Sequence, residues 1–353
     1  MGWVFKPRGN EKAREPMGEE FFNNPDLLSE SNALVREAIQ NSLDAQVDKE
    51  ESVRVRFKIG RLENSDHIER SFSFLERHTL EVLGAESGKI TQDCRFLVYE
   101  DFNTSGLRGD SRLRDIPSGE DSSNSHYTYF AHKENEGNKS DGKRGKWGVG
   151  KVVFPMLSRV KTFFAYSVRD EEFAPCGKND IFFGQSILKY HQLDGQSIQP
   201  DGWFAQDYSG VVAVPFSGSQ AKDLAQQWSV SRLAEPGLSL IVPYISESLS
   251  IEQIRDSVLR EYFISIVSGD LVCEFESESG QVQPLDSQTI LPFLESIEEL
   301  SAGTVRDLNS RQIKSAIFAF KQAMTVTAID FSLDDEIAPA TKYPIPEEIL
   351  QQV

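Results

Sequence analysis

The chain has 353 residues, of which 39% are hydrophobic and 10% aromatic, so it can fill the core of one large domain or of two ordinary ones. Its formal net charge of -18 argues against a surface that coats nucleic acid non-specifically, because neutralising phosphates requires clustered Lys and Arg. The three cysteines form no CxxC pair and the five histidines no ligand-spaced pair, which argues against a disulfide framework or a zinc site.

The N-terminal segment, residues 1–28, is polar with scattered aromatic residues and has no apolar region typical of a signal peptide. No apolar run approaches the ~18 residues that a membrane-spanning helix requires. The widely separated cysteines fit a reducing compartment. We therefore expect a cytoplasmic protein that does not span a membrane.

The next segment, residues 29–47, contains good helix formers after a serine that can cap it, and predicts a helix. Two strands are predicted after it, over 53–59 and 95–101, and the second ends on an acidic residue. Residues 104–144 are rich in Ser, Gly, Asn, Asp and Lys and predict a long loop. A loop of this length inside a compact domain usually has a function.

The rest of the chain alternates between predicted strands and helices, beginning with a short apolar helix after a glycine-rich stretch. Four strands are predicted over 161–168, 180–188, 210–216 and 238–244. A helix over 250–268, a strand over 271–277 and helices over 287–300 and 309–325 complete the pattern. Residues 246–353 therefore predict a smaller α+β region.

One face of the first predicted helix has an unusual composition. Glu37, Asn41 and Asp44 are spaced i, i+4 and i+7, so they fall within about 60° of one another on the helix. A solvated face is the simplest alternative, but such faces usually mix charge signs. A carboxylate and an amide oxygen suit Mg²⁺, and a second carboxylate can accept a proton from water. The stripe therefore indicates a cation site with a general base.

The pattern E-x-x-x-N-x-x-D-A, from Glu37 to Ala45, resembles the N-box of the gyrase, heat-shock chaperone, histidine kinase and mismatch-repair (GHKL) ATPase superfamily. The resemblance implies that Asn41 binds Mg²⁺, that Glu37 activates the attacking water and that Asp44 supports the site through hydrogen bonds. It also implies an α/β fold of the Bergerat type over residues 29–245. That fold is a two-layer sandwich, with a mixed sheet and helices on one face.

A second element follows the strand that ends at Asp101. The family pattern D-x-G-x-G would place glycine at Asn103, and the glycine here is Gly106, one residue late. The resemblance implies that Asp101 accepts a hydrogen bond from the adenine amino group, which a carboxylate acceptor favours over guanine. An ordinary Asp/Asn/Gly turn after a strand is the alternative.

The glycine-rich stretch GKWGVGK, residues 145–151, has the spacing of a P-loop. Val152 replaces the Ser or Thr of that motif, and a charged loop rather than a strand precedes it, so a P-loop is disfavoured. The stretch resembles instead the chaperone-type G-x-x-G-x-G, which implies an ATP lid over about 104–150. The residues implied to bind the nucleotide are Gly145, Lys146, Trp147, Gly148, Val149, Gly150 and Lys151. A glycine loop without a ligand remains the alternative.

A late strand over 235–244 resembles the family's Gly-Thr strand, which implies that Ser239 supplies a hydroxyl to the nucleotide. An ordinary strand start explains this stretch equally well. The resemblance covers roughly residues 20–245, and the order of the elements along the chain strengthens it.

Together these elements imply a Mg²⁺-dependent ATPase that couples lid closure to conformational change or to engagement of a protein partner. A nucleotide-binding regulatory or scaffold module with little turnover remains open, because the second element is irregular. A phosphotransferase of the histidine-kinase type is disfavoured, since no histidine precedes His67.

By analogy with the chaperone and mismatch-repair relatives, residues 1–28 are expected to form a strap between two protomers, and hence a homodimer. Nucleic acid stays open as a partner, because some relatives act on DNA although the acidic balance of this chain disfavours a DNA clamp. Stand-alone ATPases of this kind occur in bacterial stress and phage-defence systems.

Overall fold

The computed structural model describes residues 2–10, 29–63, 66–116, 125–133, 150–174, 179–209, 212–297 and 310–325. These ranges form a mixed α/β fold around one large, mostly antiparallel sheet. The strands are β1 (Gly2–Pro7), β2 (Val53–Glu63), β3 (Asp93–Phe102), β4 (Thr162–Val168), β5 (Asp180–Ile187), β6 (His191–Leu193), β7 (Gln196–Ala205), β8 (Asp207–Ser209), β9 (Val212–Val214), β10 (Phe216–Ser217), β11 (Gly237–Pro243), β12 (Leu271–Glu276) and β13 (Val282–Leu285).

The helices are α1 (Glu30–Asp44), α2 (Asp66–Phe72), α3 (Leu75–Ser87), α4 (His126–His132), α5 (Gly150–Leu157), α6 (Ser219–Gln227), α7 (Ile251–Ser268), α8 (Ile290–Ser296) and α9 (Ser310–Thr325). Among the described residues, none of these helices combines the length and the apolar composition needed to cross a membrane. The sequence-based predictions of α1, β2–β5, β11, α7, β12 and α9 are confirmed to within a few residues.

The sheet has the strand order β1-β7-β5-β4-β11-β3-β2-β12-β13, with β10 beside β5 and β6 beside β7. Neighbouring strands are antiparallel except β2 and β12, which pair in parallel with Leu271 opposite Val53. Strands β8 and β9 form a separate two-stranded ladder. The chain therefore places β3 and β11 side by side at the centre of the sheet, although their sequences are far apart.

Helices cover both faces of the sheet, so the prediction of helices on one face only is wrong. On one face α1, α5 and α7 pack against alternate strand residues such as Phe57 and Leu97. On the other face α2, α3 and α6 pack against the intervening residues, such as Phe96 and Phe164. The physical reason is that β3, β4 and β5 are apolar at consecutive positions, so both of their faces must be removed from water.

The sheet continues past residue 245, where the sequence predicted a second region. Strand β12 extends it beside β2. Helix α7 packs on α1, where the Ser257 hydroxyl donates to the Ser31 hydroxyl at 3.0 Å and Tyr262 donates to the Arg36 carbonyl at 3.0 Å. The helix layer that includes α1 therefore contains elements from both sides of the predicted boundary.

The segment predicted to be a dimer strap is described over residues 2–10, and its remainder lies outside the described residues. Strand β1 pairs with β7 in the same chain, with Trp3 opposite Phe204. The Trp3 indole is buried and donates to the Ser71 carbonyl at 2.7 Å. Residues 2–7 are therefore an integral strand of the sheet.

We expect the free energy of unfolding to fall in mild acid because of His67. Burial first, and the neighbouring Arg70 charge second, lower the pKa of His67 to about 4 from 6.5. Between these values the unfolded chain binds more protons than the folded one, so stability decreases as the pH falls from 7 towards 4. The contribution from His67 is about 2 kcal/mol lower at pH 5 than at pH 7.

Urea unfolding at both pH values measures this difference. The variant His67→Phe removes the titration while keeping a ring against Trp228, so its stability should change less between pH 7 and pH 5. An equal pH dependence in the variant and the wild type would contradict this origin.

Candidate functional site

The candidate site lies around the C-terminal half of α1. The Ser29 hydroxyl caps the helix by accepting from the Asn32 amide at 3.4 Å. The apolar side of α1, including Leu34 and Ile39, is buried against the sheet. Burial of this side leaves the predicted polar stripe at the edge of the helix layer, with Glu37 half-buried.

Glu37 and Asn41 contact each other directly. The Asn41 side-chain amide donates to Glu37 Oε1 at 2.8 Å. Since the NH₂ group of Asn41 is directed at the carboxylate, its carbonyl oxygen is directed elsewhere. Asp44 is exposed and accepts from the Gln40 amide at 3.2 Å. The predicted stripe is therefore present, with Glu37 and Asn41 forming its hydrogen-bonded pair.

Asp101 lies at the end of β3 and is only 5% exposed. Its Oδ1 accepts from the Thr104 hydroxyl at 2.6 Å and from the Leu238 amide at 2.7 Å. Its Oδ2 accepts from the Ser42 hydroxyl at 2.7 Å. The carboxylate thus joins α1, the turn after β3 and the start of β11. A buried carboxylate requires such donors because an unsatisfied one would be very unfavourable.

Ser42 belongs to a short hydrogen-bonded chain that begins at Tyr99. The Tyr99 hydroxyl lies 2.6 Å from Ser42 Oγ and 3.1 Å from the Ala38 carbonyl. Burial, and secondly the charge of Asp101, raise the pKa of Tyr99 well above its usual value. The phenol therefore keeps its proton, which it can donate to the Ala38 carbonyl or to Ser42 Oγ, and in the second case the Ser42 hydrogen is available for Asp101.

Asn103, in the turn after β3, stands at the first glycine position of the predicted D-x-G-x-G pattern. Asn103 has φ 59°, in the left-handed region that Asn tolerates better than most residues. Its side-chain amide donates to the carbonyls of Asp48 and Glu51 at 2.8 and 2.9 Å and accepts from the Asp48 amide at 2.9 Å. Asn103 therefore supplies the required backbone conformation and also fixes the loop that follows α1.

Gly106 is the second residue of this turn with a left-handed backbone conformation. It has φ 60°, and a Cβ there would lie 2.5 Å from the Val168 carbonyl oxygen. The Ser105 amide donates to the Ala45 carbonyl at 3.0 Å, which attaches the turn to the end of α1. Gly106 thus permits close packing between the turn and β4, and its role in nucleotide binding stays a prediction.

Ser239 lies apart from the residues that surround the Asp101 carboxylate. Its hydroxyl donates to Glu100 Oε1 at 3.1 Å and accepts from Arg232 Nε at 3.0 Å. Ser239 is paired with Glu100, and adjacent residues of a strand point to opposite faces, so it lies on the face away from Asp101. Leu238, its neighbour, contributes to the Asp101 side through its backbone amide.

Beneath Asp101, on the second face of the sheet, lies the guanidinium of Arg232, whose side chain is 0% exposed. It donates to the backbone carbonyls of four residues, Asp101, Glu235, Pro236 and Leu238. Burial lowers the pKa of Arg232, and the charges of Asp101 and Glu100 oppose that effect. Arg232 therefore holds the backbone of β3 and β11 in the arrangement that directs the Leu238 amide to Asp101.

The predicted phosphate loop is described only at its end. Gly145, Lys146, Trp147, Gly148 and Val149 lie outside the described residues. Gly150 and Lys151 are the first two residues of α5, which packs beside α1. Val153 and Phe154 of α5 belong to the same apolar cluster as Leu34. Helix α5 therefore lies beside the helix that carries Glu37 and Asn41, and the backbone amides of its first turn lack helical partners.

Among the described residues, no group of three His, Cys, Asp or Glu side chains is arranged to hold a metal ion. A Mg²⁺ ion that is bound mainly through water and substrate phosphates needs only one or two protein oxygens. The Asn41 carbonyl oxygen is suitable for that role, because the other end of its amide is directed at Glu37.

The site residues that sequence reasoning missed are Ser42, Tyr99, Thr104 and Arg232. Ser42 directly follows Asn41, and Tyr99 precedes Asp101 by two residues on the same face of β3, so helix and strand periodicity could have indicated both. Comparison of the chain with models of known protein families and with curated proteins finds no match.

We expect Arg232→Met to lower the free energy of unfolding by about 3–5 kcal/mol, because it leaves four backbone carbonyls without their buried donor and removes the positive charge beside the buried carboxylates of Asp101 and Glu100. Arg54→Met is a matched control. The guanidinium of Arg54 lies 3.7 Å from the centroid of the Phe102 ring and that of Arg232 lies 4.5 Å from it, but the Arg54 side chain is 34% exposed.

Arg54→Met should lower the free energy of unfolding by about 1 kcal/mol or less. Urea unfolding of both variants measures the difference. Equal losses would show that Arg232 does not support the framework in the way described.

Proposed function

We propose that the protein binds ATP together with Mg²⁺ and hydrolyses it, with site residues arranged like those of GHKL ATPases. The observation that supports this most strongly is the Ser42–Asp101 hydrogen bond, which joins residues 59 positions apart. Through it, the helix bearing the Glu37–Asn41 pair and the carboxylate at the end of β3 belong to one framework. The order and proximity of these groups are what an ATP site of this type requires.

In the proposed complex, Asp101 recognises the base. Its Oδ1 already has two donors, Thr104 and the Leu238 amide, whereas Oδ2 accepts from Ser42 and has the capacity for another donor. The amino group of adenine is such a donor. Guanine presents a carbonyl oxygen at the same position, which a carboxylate repels. Asp101 would therefore select adenine.

The phosphates would bind at the glycine-rich loop and the N-terminus of α5. Backbone amides at a helix N-terminus point towards an anion, and the helix dipole favours negative charge there. Gly150 begins α5, and Lys151 and Lys146 supply positive charge in the sequence around it. Mg²⁺, when bound, would neutralise phosphate charge, with the Asn41 carbonyl oxygen as its protein ligand.

The hydrolytic step would use Glu37 as the general base. Glu37 accepts a proton from water while the water oxygen forms a bond to the γ-phosphorus. The bond from that phosphorus to the β–γ bridging oxygen breaks, and ADP leaves with the electron pair. The hydrogen bond from Asn41 holds the Glu37 carboxylate in one orientation during this step. The cycle would then couple lid closure to a change in shape or to a partner.

The first test compares Glu37→Gln with the wild type in the presence of Mg²⁺. The variant should bind ATP with nearly unchanged affinity and lose roughly 10²–10⁴-fold in turnover, because it lacks the base but keeps the shape. Glu30→Gln, in the first turn of the same helix, is the matched control and should retain wild-type turnover.

ATP binding is measured by calorimetry and phosphate release by a coupled assay. Equal turnover in the wild type and in Glu37→Gln would contradict the role of Glu37. Binding by the wild type without any phosphate release would favour a nucleotide-binding regulatory module over an ATPase.

The second test concerns the cation. Asn41→Ala should reduce turnover and make ATP binding nearly independent of Mg²⁺, because the amide oxygen that would bind the ion is lost. Gln40→Ala, which removes an exposed amide at the adjacent position, is the control. ATP titrations with Mg²⁺ and with EDTA give the dependence. If Mg²⁺ still strengthens binding to Asn41→Ala as much as to the wild type, Asn41 is not the metal ligand.

A further inference from the structure

We infer that Ser42 determines base specificity by orienting Asp101, and that Tyr99 assists it; this inference rests on the proposed function. Ser42 is 1% exposed and Asp101 is 5% exposed, so their hydrogen bond of 2.7 Å is shielded from water. A hydrogen bond to a charged acceptor in such surroundings is strong and directional. It fixes Oδ2, the oxygen that retains capacity for a donor from the base.

The donor strength of Ser42 depends on Tyr99. When the Tyr99 phenol donates to Ser42 Oγ across 2.6 Å, the serine hydrogen is left for Asp101 and its bond is polarised. Without the phenol, the serine hydrogen has an alternative acceptor, the Ala38 carbonyl at 3.1 Å. Tyr99 therefore biases Ser42 towards Asp101 and away from the helix backbone.

The same bonds join base recognition to the proposed hydrolytic pair. Ser42 is adjacent to Asn41, and Ala38, whose carbonyl lies 3.1 Å from the Tyr99 hydroxyl, is adjacent to Glu37. A shift of Asp101 would thus be transmitted to the helix turn that carries both groups. Ser42 and Tyr99 act as positioning residues in this arrangement, since they reach the nucleotide through Asp101.

The test measures the dissociation constants of ATP and of inosine triphosphate with Mg²⁺ present. Inosine triphosphate replaces the 6-amino donor by an oxygen acceptor, so the ratio of the two constants reports the contact with Asp101. The wild type should prefer ATP. In Ser42→Ala the preference should fall by about tenfold, the typical value of a hydrogen bond to a charged group. Tyr99→Phe should lose part of the preference.

Two further variants separate this role from a merely structural one. Ser42→Thr keeps a hydroxyl and should keep most of the preference for ATP. Ser31→Ala makes the same chemical change at another buried serine of α1, whose partners are Ser29 and Ser257, and should keep it fully. In Ser42→Ala the Tyr99 hydroxyl can still donate to the Ala38 carbonyl, so the variant should fold. Thermal unfolding verifies this.

The outcomes are distinguishable. If the wild type binds ATP selectively and both Ser42→Ala and Tyr99→Phe keep the full preference, the inference is overturned and the proposed function stands. If Ser42→Ala is unfolded, the preference of Tyr99→Phe for ATP over inosine triphosphate is compared with that of Ser31→Ala. A lower preference in Tyr99→Phe supports the inference, and an equal preference overturns it. If the wild type binds neither nucleotide, the proposed function fails and the inference fails with it.

Discussion

The structure around the candidate site depends on the burial of one carboxylate, that of Asp101. Removing a charged group from water is very unfavourable unless hydrogen-bond donors replace the water. Here the donors come from Ser42 in α1, from Thr104 in the following turn and from the Leu238 amide at the start of β11. Helix α1 and strand β11, which are distant from β3 in sequence, must therefore meet at its end for the fold to be stable.

Buried polar groups on the second face of the sheet also help to hold Asp101 in place. Glu100, the neighbour of Asp101, faces away from α1 and accepts from Ser231, from the Arg232 amide and from Ser239. The guanidinium of Arg232 lies on this face and donates to the backbone carbonyl of Asp101. This contact helps to fix the position of the carboxylate on the opposite face. A recognition group held in this way loses little conformational freedom when a ligand binds, which favours affinity and specificity.

Much of this architecture follows from local sequence patterns, and the rest depends on long-range pairing. The i, i+4 spacing of Glu37 and Asn41 predicts their contact because helix geometry is fixed. The side on which Ser239 lies was not predictable, because it depends on the register between β11 and β3, and a shift of one residue reverses every side chain. The partners of Arg232 are likewise set by tertiary packing.

Among the described helices, α2, α3, α4 and α6 were not predicted, and α2 and α3 were missed for a different reason. Helices α2 and α3 are separated by Phe74, which has φ 68°, and α3 is interrupted at Gly84, which has φ 80°. These breaks shorten each periodic stretch below the length at which a helical pattern becomes clear. These two helices of the second layer, which covers the face bearing Trp228, consequently escaped prediction.

Hydrogen exchange of the backbone amides, followed by mass spectrometry with and without Mg²⁺ and ATP, tests the central claim most directly. An ATP site at these residues predicts slower exchange on addition of ATP in two separate peptides, one covering the C-terminal half of α1 and one covering the turn from Asp101 to Gly106. Mg²⁺ with GTP at the same concentration should produce a much smaller effect. Unchanged exchange in both peptides, or protection confined to another part of the chain, would contradict an ATP site at Glu37, Asn41 and Asp101.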